Sequence, residues 1–151
     1  MRRTELRRGT GLSRSVPKPA RRRDTGPSAK VRKLVLTRDG YRCVACGVSI
    51  IGRLYSLQHR DARGMGGTSD PAANSPVNLV VLCGWRDTPG SCHKRAEDRD
   101  PEMNARGYWL RNGEDPALTP VMVFSPAGSG AAVWLSPAGA YLSEPPEGAA
   151  A

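Results

Sequence analysis

The apolar residues of this chain come in short, separate runs, and the spacing within each run predicts an element. Val31, Leu34 and Val35 recur at i, i+3 and i+4, which places them on one face of a short helix. Ser28 ahead of them is a capping residue, and Asp39-Gly40 is the turn signal that ends the helix. Leu54 to His59 reads as a strand with Leu54, Ser56 and Gln58 on one face and Tyr55, Leu57 and His59 on the other. Arg60 to Pro76, with Gly64, Gly66 and Gly67, reads as a glycine-rich loop. Asn78 to Cys83, carrying the apolar run Leu79, Val80, Val81 and Leu82, is predicted as a second strand. Ser91 or Cys92 then opens a helix that must end before Pro101. The order through the centre of the chain is therefore strand, loop, strand, helix.

The flanks are less regular. Gly107 to Leu110 and Thr119 to Phe124 are short strand candidates with an Asn112-Gly113 turn signal between them, and Ala131 to Leu135 is a third. Pro120, Pro126 and Pro137 favour edge strands or connections there. Tyr108, Trp109 and Trp134 read as core aromatics. Residues 1–27 mix arginine with Gly, Ser, Thr and Pro and have too few apolar groups to pack, so a disordered basic arm is expected. The predicted organisation is that arm, a folded α+β domain over 28–104, a short β extension packed on it over 105–142, and a loose tail over 143–151.

Charge sharpens this division. Residues 1–33 hold 12 Lys and Arg against 2 Asp and Glu, whereas residues 34–151 hold 11 against 12. The basicity therefore belongs to the arm, where Arg21, Arg22 and Arg23 are contiguous, and a dense cationic arm suits the phosphate backbone of DNA. A solvated leader is the plainer alternative. Within 151 residues, of which 5% are aromatic, the core is modest, so a structural metal is useful to the fold. No apolar run approaches the roughly 20 residues of a membrane span, and the N-terminus lacks the apolar segment of a secretory signal. The expectation is a cytoplasmic protein with no membrane partner, in which four cysteines serve better as metal ligands than as disulfides.

Cys43 and Cys46 form a C-x-x-C, which puts two sulfurs on one tight turn, and Gly47 follows them with freedom to take a positive φ. Cys83 and Cys92 supply the second pair. Their eight-residue separation is unusual, but Gly84, Pro89 and Gly90 allow the intervening segment to loop out and return. One structural zinc ion would fasten the four; paired disulfides or unconnected thiols are the alternatives. His93 and Glu97 stand at i and i+4 on the following helix, where they can share a divalent cation and leave positions open. His59, at the end of the first strand, would face them and can take a proton from water. Asn78 can hold the loop, or His59 itself, through its amide.

Taken together, the segments "RDGYRC–VACG", "LQHRDARGMGG", "NLVVLC" and "SCHKRAE" resemble the HNH endonucleases of the ββα-metal class, in the small form common in bacteriophages of actinobacteria. The resemblance covers Val31 to Glu97 well and 107–120 loosely. It implies that His59, Asn78 and His93 are the namesake residues of a catalytic site. It further implies that His59 activates water for DNA hydrolysis, leaving a 5′-phosphate and a 3′-hydroxyl. A catalytic divalent ion (Mg²⁺, Mn²⁺, Ni²⁺ or Zn²⁺ in different members) would sit between strand and helix, and Arg60 or Arg63 would contact the scissile phosphate. The family usually carries Asp or His before the base histidine; this chain has Gln58, whose amide oxygen is a weaker ligand that would assist His93 and Glu97. Small nucleases of this class also act beside the terminase in phage DNA packaging, which makes terminase a candidate partner and the host cytoplasm the expected location. The competing expectation is a zinc-ribbon DNA-binding module that no longer cuts.

Overall fold

In the computed structural model of the protein, the described residues are 26–62, 70–126 and 130–148. The arm with Arg21, Arg22 and Arg23, and Arg63 of the glycine-rich loop, lie outside them.

Helix α1 spans Ala29–Arg38, and the Ser28 side chain accepts from the Val31 amide at its start. Its end is fastened rather than merely terminated. Asp39, buried, accepts from the Val81 amide (2.8 Å), from Arg38 Nε (2.6 Å) and from the Tyr141 hydroxyl (2.7 Å). Arg38 in turn donates to the carbonyls of Pro76 (2.8 Å) and Leu79 (2.6 Å). This buried ion pair thus ties the helix to both the centre and the C-terminal part of the chain.

Strands β1 (Tyr55–His59) and β2 (Leu79–Cys83) pair antiparallel, with Tyr55 opposite Cys83 and His59 opposite Leu79. All four residues from Leu79 to Leu82 are fully buried. Leu79 and Val81 pack with Val35 and Ile50 beneath α1, whereas Val80 and Leu82 belong to the larger cluster with Val44, Ala96, Met103, Tyr108, Val121 and Leu135. A strand covered on both faces explains an uninterrupted apolar run where a half-exposed strand would alternate. β1 alternates as predicted, with Ser56 and Gln58 turned inward.

Helix α2 (Cys92–Glu97), capped by Ser91, packs across both strands, and α3 (Pro101–Ala105) follows at once. The sequence reading used Pro101 only as a stop. In fact Asp100 caps α3, accepting from the Glu102 amide, with Pro101 in the first turn where a missing N–H costs nothing. β3 (Val121–Val123), β4 (Ala131–Leu135) and β5 (Tyr141–Leu142) form a three-stranded antiparallel sheet in that order. Gly107 to Leu110 is not a strand. It leaves α3 as an irregular segment whose Gly107 carbonyl accepts from Arg60 Nε (2.7 Å), and Tyr108 beside it is fully buried. The 105–142 segment therefore supplies part of the main core.

Arg60 is the residue that joins these parts, and here the expectation of a phosphate contact is corrected. Its side chain is 1% exposed and donates to five carbonyls: Gly107, Val77 (3.3 Å), Pro116 (2.9 Å), Thr119 (2.8 Å) and Pro120 (3.0 Å). Its backbone accepts from Leu110 N (2.7 Å) and donates to Asn78 O (2.9 Å). Burial lowers its pKa to about 10, which keeps it charged at neutral pH. With every direction of the guanidinium fork committed to main-chain oxygen, none is left for a ligand.

Replacing Arg60 with Met would orphan several buried carbonyls at once. The expected loss is roughly 3–5 kcal/mol of unfolding free energy, with Lys recovering only a part because it lacks the planar fork. Urea denaturation reads this directly, and a Met variant within about 0.5 kcal/mol of the parent would show that the carbonyls find other partners.

Candidate metal centre and catalytic cleft

The C-x-x-C turn is set by backbone bonds that leave its sulfurs together. Gly47, at φ +73°, donates its N–H to the Cys43 carbonyl (2.8 Å), and a Cβ there would lie 2.2 Å from the Phe124 ring. The Cys43 amide donates to Val48 O, and the Val44 amide donates to Val81 O (3.0 Å), docking the turn on β2 beside Cys83. The segment between Cys83 and Cys92 does loop out. Gly84, at φ +85°, lets Ser91 approach to where a Cβ would clash at 2.2 Å, and the turn is closed by Thr88 N to Trp85 O and Ser91 Oγ to Thr88 O. Cys92 is thereby returned to Cys83.

The four sulfurs of Cys43, Cys46, Cys83 and Cys92 all lie within 4.8 Å of one another, the Cys46–Cys83 pair at 3.8 Å. Four free thiols so close could hold a structural metal such as zinc. Their acidities express the same crowding. A hydrogen bond from Cys92 pulls Cys43 down to about 5, donating that bond pushes Cys92 far up, and burial with neighbouring thiolate charge raises Cys46 to about 11. One thiolate is accommodated and the next is opposed; a dication at the centre removes that opposition.

Beside this cluster, β1 and α2 border a cleft of about 490 Å³ lined by Gln58, His59 and Asp61 on one side and Ala96, Glu97 and Arg99 on the other. Trp109, Arg111 and Asn112 close its rim. His59 sits at the end of β1, half-buried, with Nε2 3.1 Å from Asn74 Oδ1. Its carbonyl accepts from Gln58 Nε2 (3.0 Å), while Gln58 Oε1 is buried with no hydrogen-bond partner. Glu97 projects into the cleft from α2. His93 lies one turn earlier, behind it, with Nε2 3.8 Å from Glu97 Oε1. Burial lowers the His93 pKa, partly opposed by Glu97, so the imidazole is neutral and able to ligate. Its Nδ1 is buried beside the Trp85 backbone. The Trp85 ring stacks over it (centroids 6.1 Å apart) and stays largely exposed on its outer side.

Asn78 is 2% exposed and does not reach His59 in any hydrogen bond seen here. Its Oδ1 accepts from Asp61 N (2.6 Å), and its Nδ2 donates to Asp61 O and Ala73 O (3.0 Å each). It therefore staples the two ends of the glycine-rich loop and sets Asn74, the next residue after Ala73, against His59. Sequence reasoning missed Asn74, Arg99 and Arg111. The PAAN segment around Asn74 carries a cap signal in Asp70-Pro71, realised as a 3-10 turn over Pro71–Asn74; nothing local marks the two arginines.

The cysteine group is the one place among the described residues where three or more His, Cys, Asp or Glu ligands converge. Also among them, no helix is long and apolar enough to cross a membrane. Comparison with protein-family models, with curated proteins and with solved structures found no match for this chain.

The cluster predicts one zinc ion per chain by elemental analysis. Cys83→Ser, or stripping by a strong chelator, should lower the thermal midpoint by on the order of 10 °C. A midpoint indifferent to both would make the sulfurs ordinary packed thiols.

Proposed function

We propose that this protein is a metal-dependent DNA endonuclease of the HNH, ββα-metal type, with zinc on its four cysteines. The observation that carries the reading is the cleft in which Gln58 and His59 from β1 meet Glu97 from α2, beside a four-sulfur cluster that joins the end of β2, the partner of β1, to the start of α2. That is the strand–loop–strand–helix arrangement to which the sequence resemblance points. DNA is the substrate chemistry that fits a basic arm and a cleft with arginines at its edge.

The donor set suits a hard divalent cation. Gln58 offers an unpartnered buried oxygen, Glu97 a carboxylate, and His93 a neutral imidazole close to it. These three would hold Mg²⁺, Mn²⁺ or Ni²⁺, which when bound supplies positive charge toward the leaving oxygen of a phosphodiester. His59 is the general base. With Asn74 Oδ1 accepting, the proton of the neutral ring resides on Nε2 and Nδ1 is the basic nitrogen. Asn78 acts through the loop it closes, holding Asn74 and Asp61 in place. Arg60 keeps the Trp109–Asn112 rim attached through Leu110.

Plasmid nicking across Mg²⁺, Mn²⁺ and Ni²⁺ tests the reading, with His59→Ala expected to lose about 10²–10⁴-fold of the wild-type rate. Gln58→Asp should tighten binding of the cleavage metal and Gln58→Ala loosen it; activity unchanged from wild type in both removes Gln58 from the site. A second reading, a zinc-ribbon module that binds DNA without cutting, draws on Gln58 standing where a charged or imidazole ligand is usual. DNA binding with no nicking under any of the ions favours it. Co-purification with terminase tests a role in DNA packaging.

A further inference from the structure

The cations along α2, α3 and the segments that follow each of them fall into two groups. Lys94 pairs with Asp98, Arg95 with Asp100 and Glu102, and Arg106 with Glu102. Arg99 and Arg111, which line the cleft, form no ion pair among the described residues. Paired arginines are neutralised locally; these two present uncompensated charge to whatever enters.

Arg99 is also held there at a cost. It occupies the turn between α2 and α3 at φ +58°, a left-handed conformation that favours glycine. Its amide donates to Ala96 O (3.1 Å), and its guanidinium stands 5.9 Å from the centre of the Trp109 ring, within cation–π range. Arg111 is fixed from the other side. Its neighbour Leu110 is buried and bonded to the Arg60 carbonyl, and its own amide donates to Glu114 Oε2 (2.7 Å). The two backbones are thus anchored independently while both residues line one cleft. The acidic groups lining the same cleft are Glu97, on the Arg99 side, and Asp61 across from it.

We propose that Arg99 and Arg111 form a phosphate-binding wall, seating a phosphodiester that flanks the one presented to His59. The inference rests on the cleft being a nucleic-acid site, but it does not require that the site cut. Each arginine is a binding residue for the backbone, indifferent to base sequence.

The test uses the full chain with its cysteine-bound zinc retained and a 12-base-pair duplex with no cleavage metal added, with affinity measured from 50 to 200 mM salt. R99Q/R111Q should bind more weakly and reduce the slope of log affinity against log salt by about 1.8, close to 0.9 for each lost contact. Arg99→Gly separates charge from folding: glycine relieves the left-handed strain, so the unfolding midpoint should hold or rise while the slope still falls by about 0.9. In the presence of the cleavage metal, the double variant should raise KM with kcat within a few-fold. Lost slope in R99Q/R111Q with no nicking by wild type under any ion supports the phosphate wall and rejects the nuclease reading. Normal nicking with unchanged slope and affinity in the double variant overturns the wall and leaves the nuclease. Failure of the wild-type chain to bind the duplex at all overturns it as well.

Discussion

The fold depends on keeping one short strand dry on both sides. β2 contributes four consecutive residues with no exposed surface, and two separate groups of side chains close over its faces. Burying a side chain of this size fully stabilises by about 1.5–3 kcal/mol, so this strand concentrates much of what a small core can offer. The cover on one face comes from α1 and Ile50. That on the other comes from the cysteine turn, α2, α3 and the C-terminal sheet. Gln58 and His59 on β1, and His93 and Glu97 on α2, are all mounted on elements that touch β2, so these groups inherit their rigidity from this strand.

Polar groups do the fastening where apolar surface is scarce. Asp39, Asn78 and Arg60 are all buried and richly bonded to main-chain atoms, and each joins segments far apart in sequence. Such groups contribute little net free energy when satisfied but are costly to disturb, so they define one arrangement against its competitors. Arg60 illustrates the point. It stands next to the candidate base in sequence, yet the structure uses its charge to gather five carbonyls, four of them from the 105–142 segment.

Short-range signals in the chain were readable and long-range ones were not. The cap at Ser28, the alternation in β1, the four-residue apolar run of β2 and the start of α2 at Ser91 rest on contacts within a few residues, and the structure has them within a residue or so of the expected places. The gathering of the four cysteines could be anticipated because C-x-x-C constrains two sulfurs and little else remained to join them. The burial of Arg60 could not, because its acceptors lie 17 to 60 residues away. The arginines at the rim were invisible for the same reason: Arg111 enters the cleft only because the chain returns through Leu110 to bond with Arg60. β5, two residues long, has no periodicity to detect.

The excursion between Cys83 and Cys92 has a consequence for how this molecule can vary. Both ends of the segment are moored to one sulfur cluster, and its interior, with Trp85 outward, packs against little but itself and the His93 ring. Loop-closure entropy grows only with the logarithm of length, so residues added or removed here shift folding by tenths of a kcal/mol. The segment is therefore a natural insertion port: its length and composition can drift without moving any sulfur of the cluster.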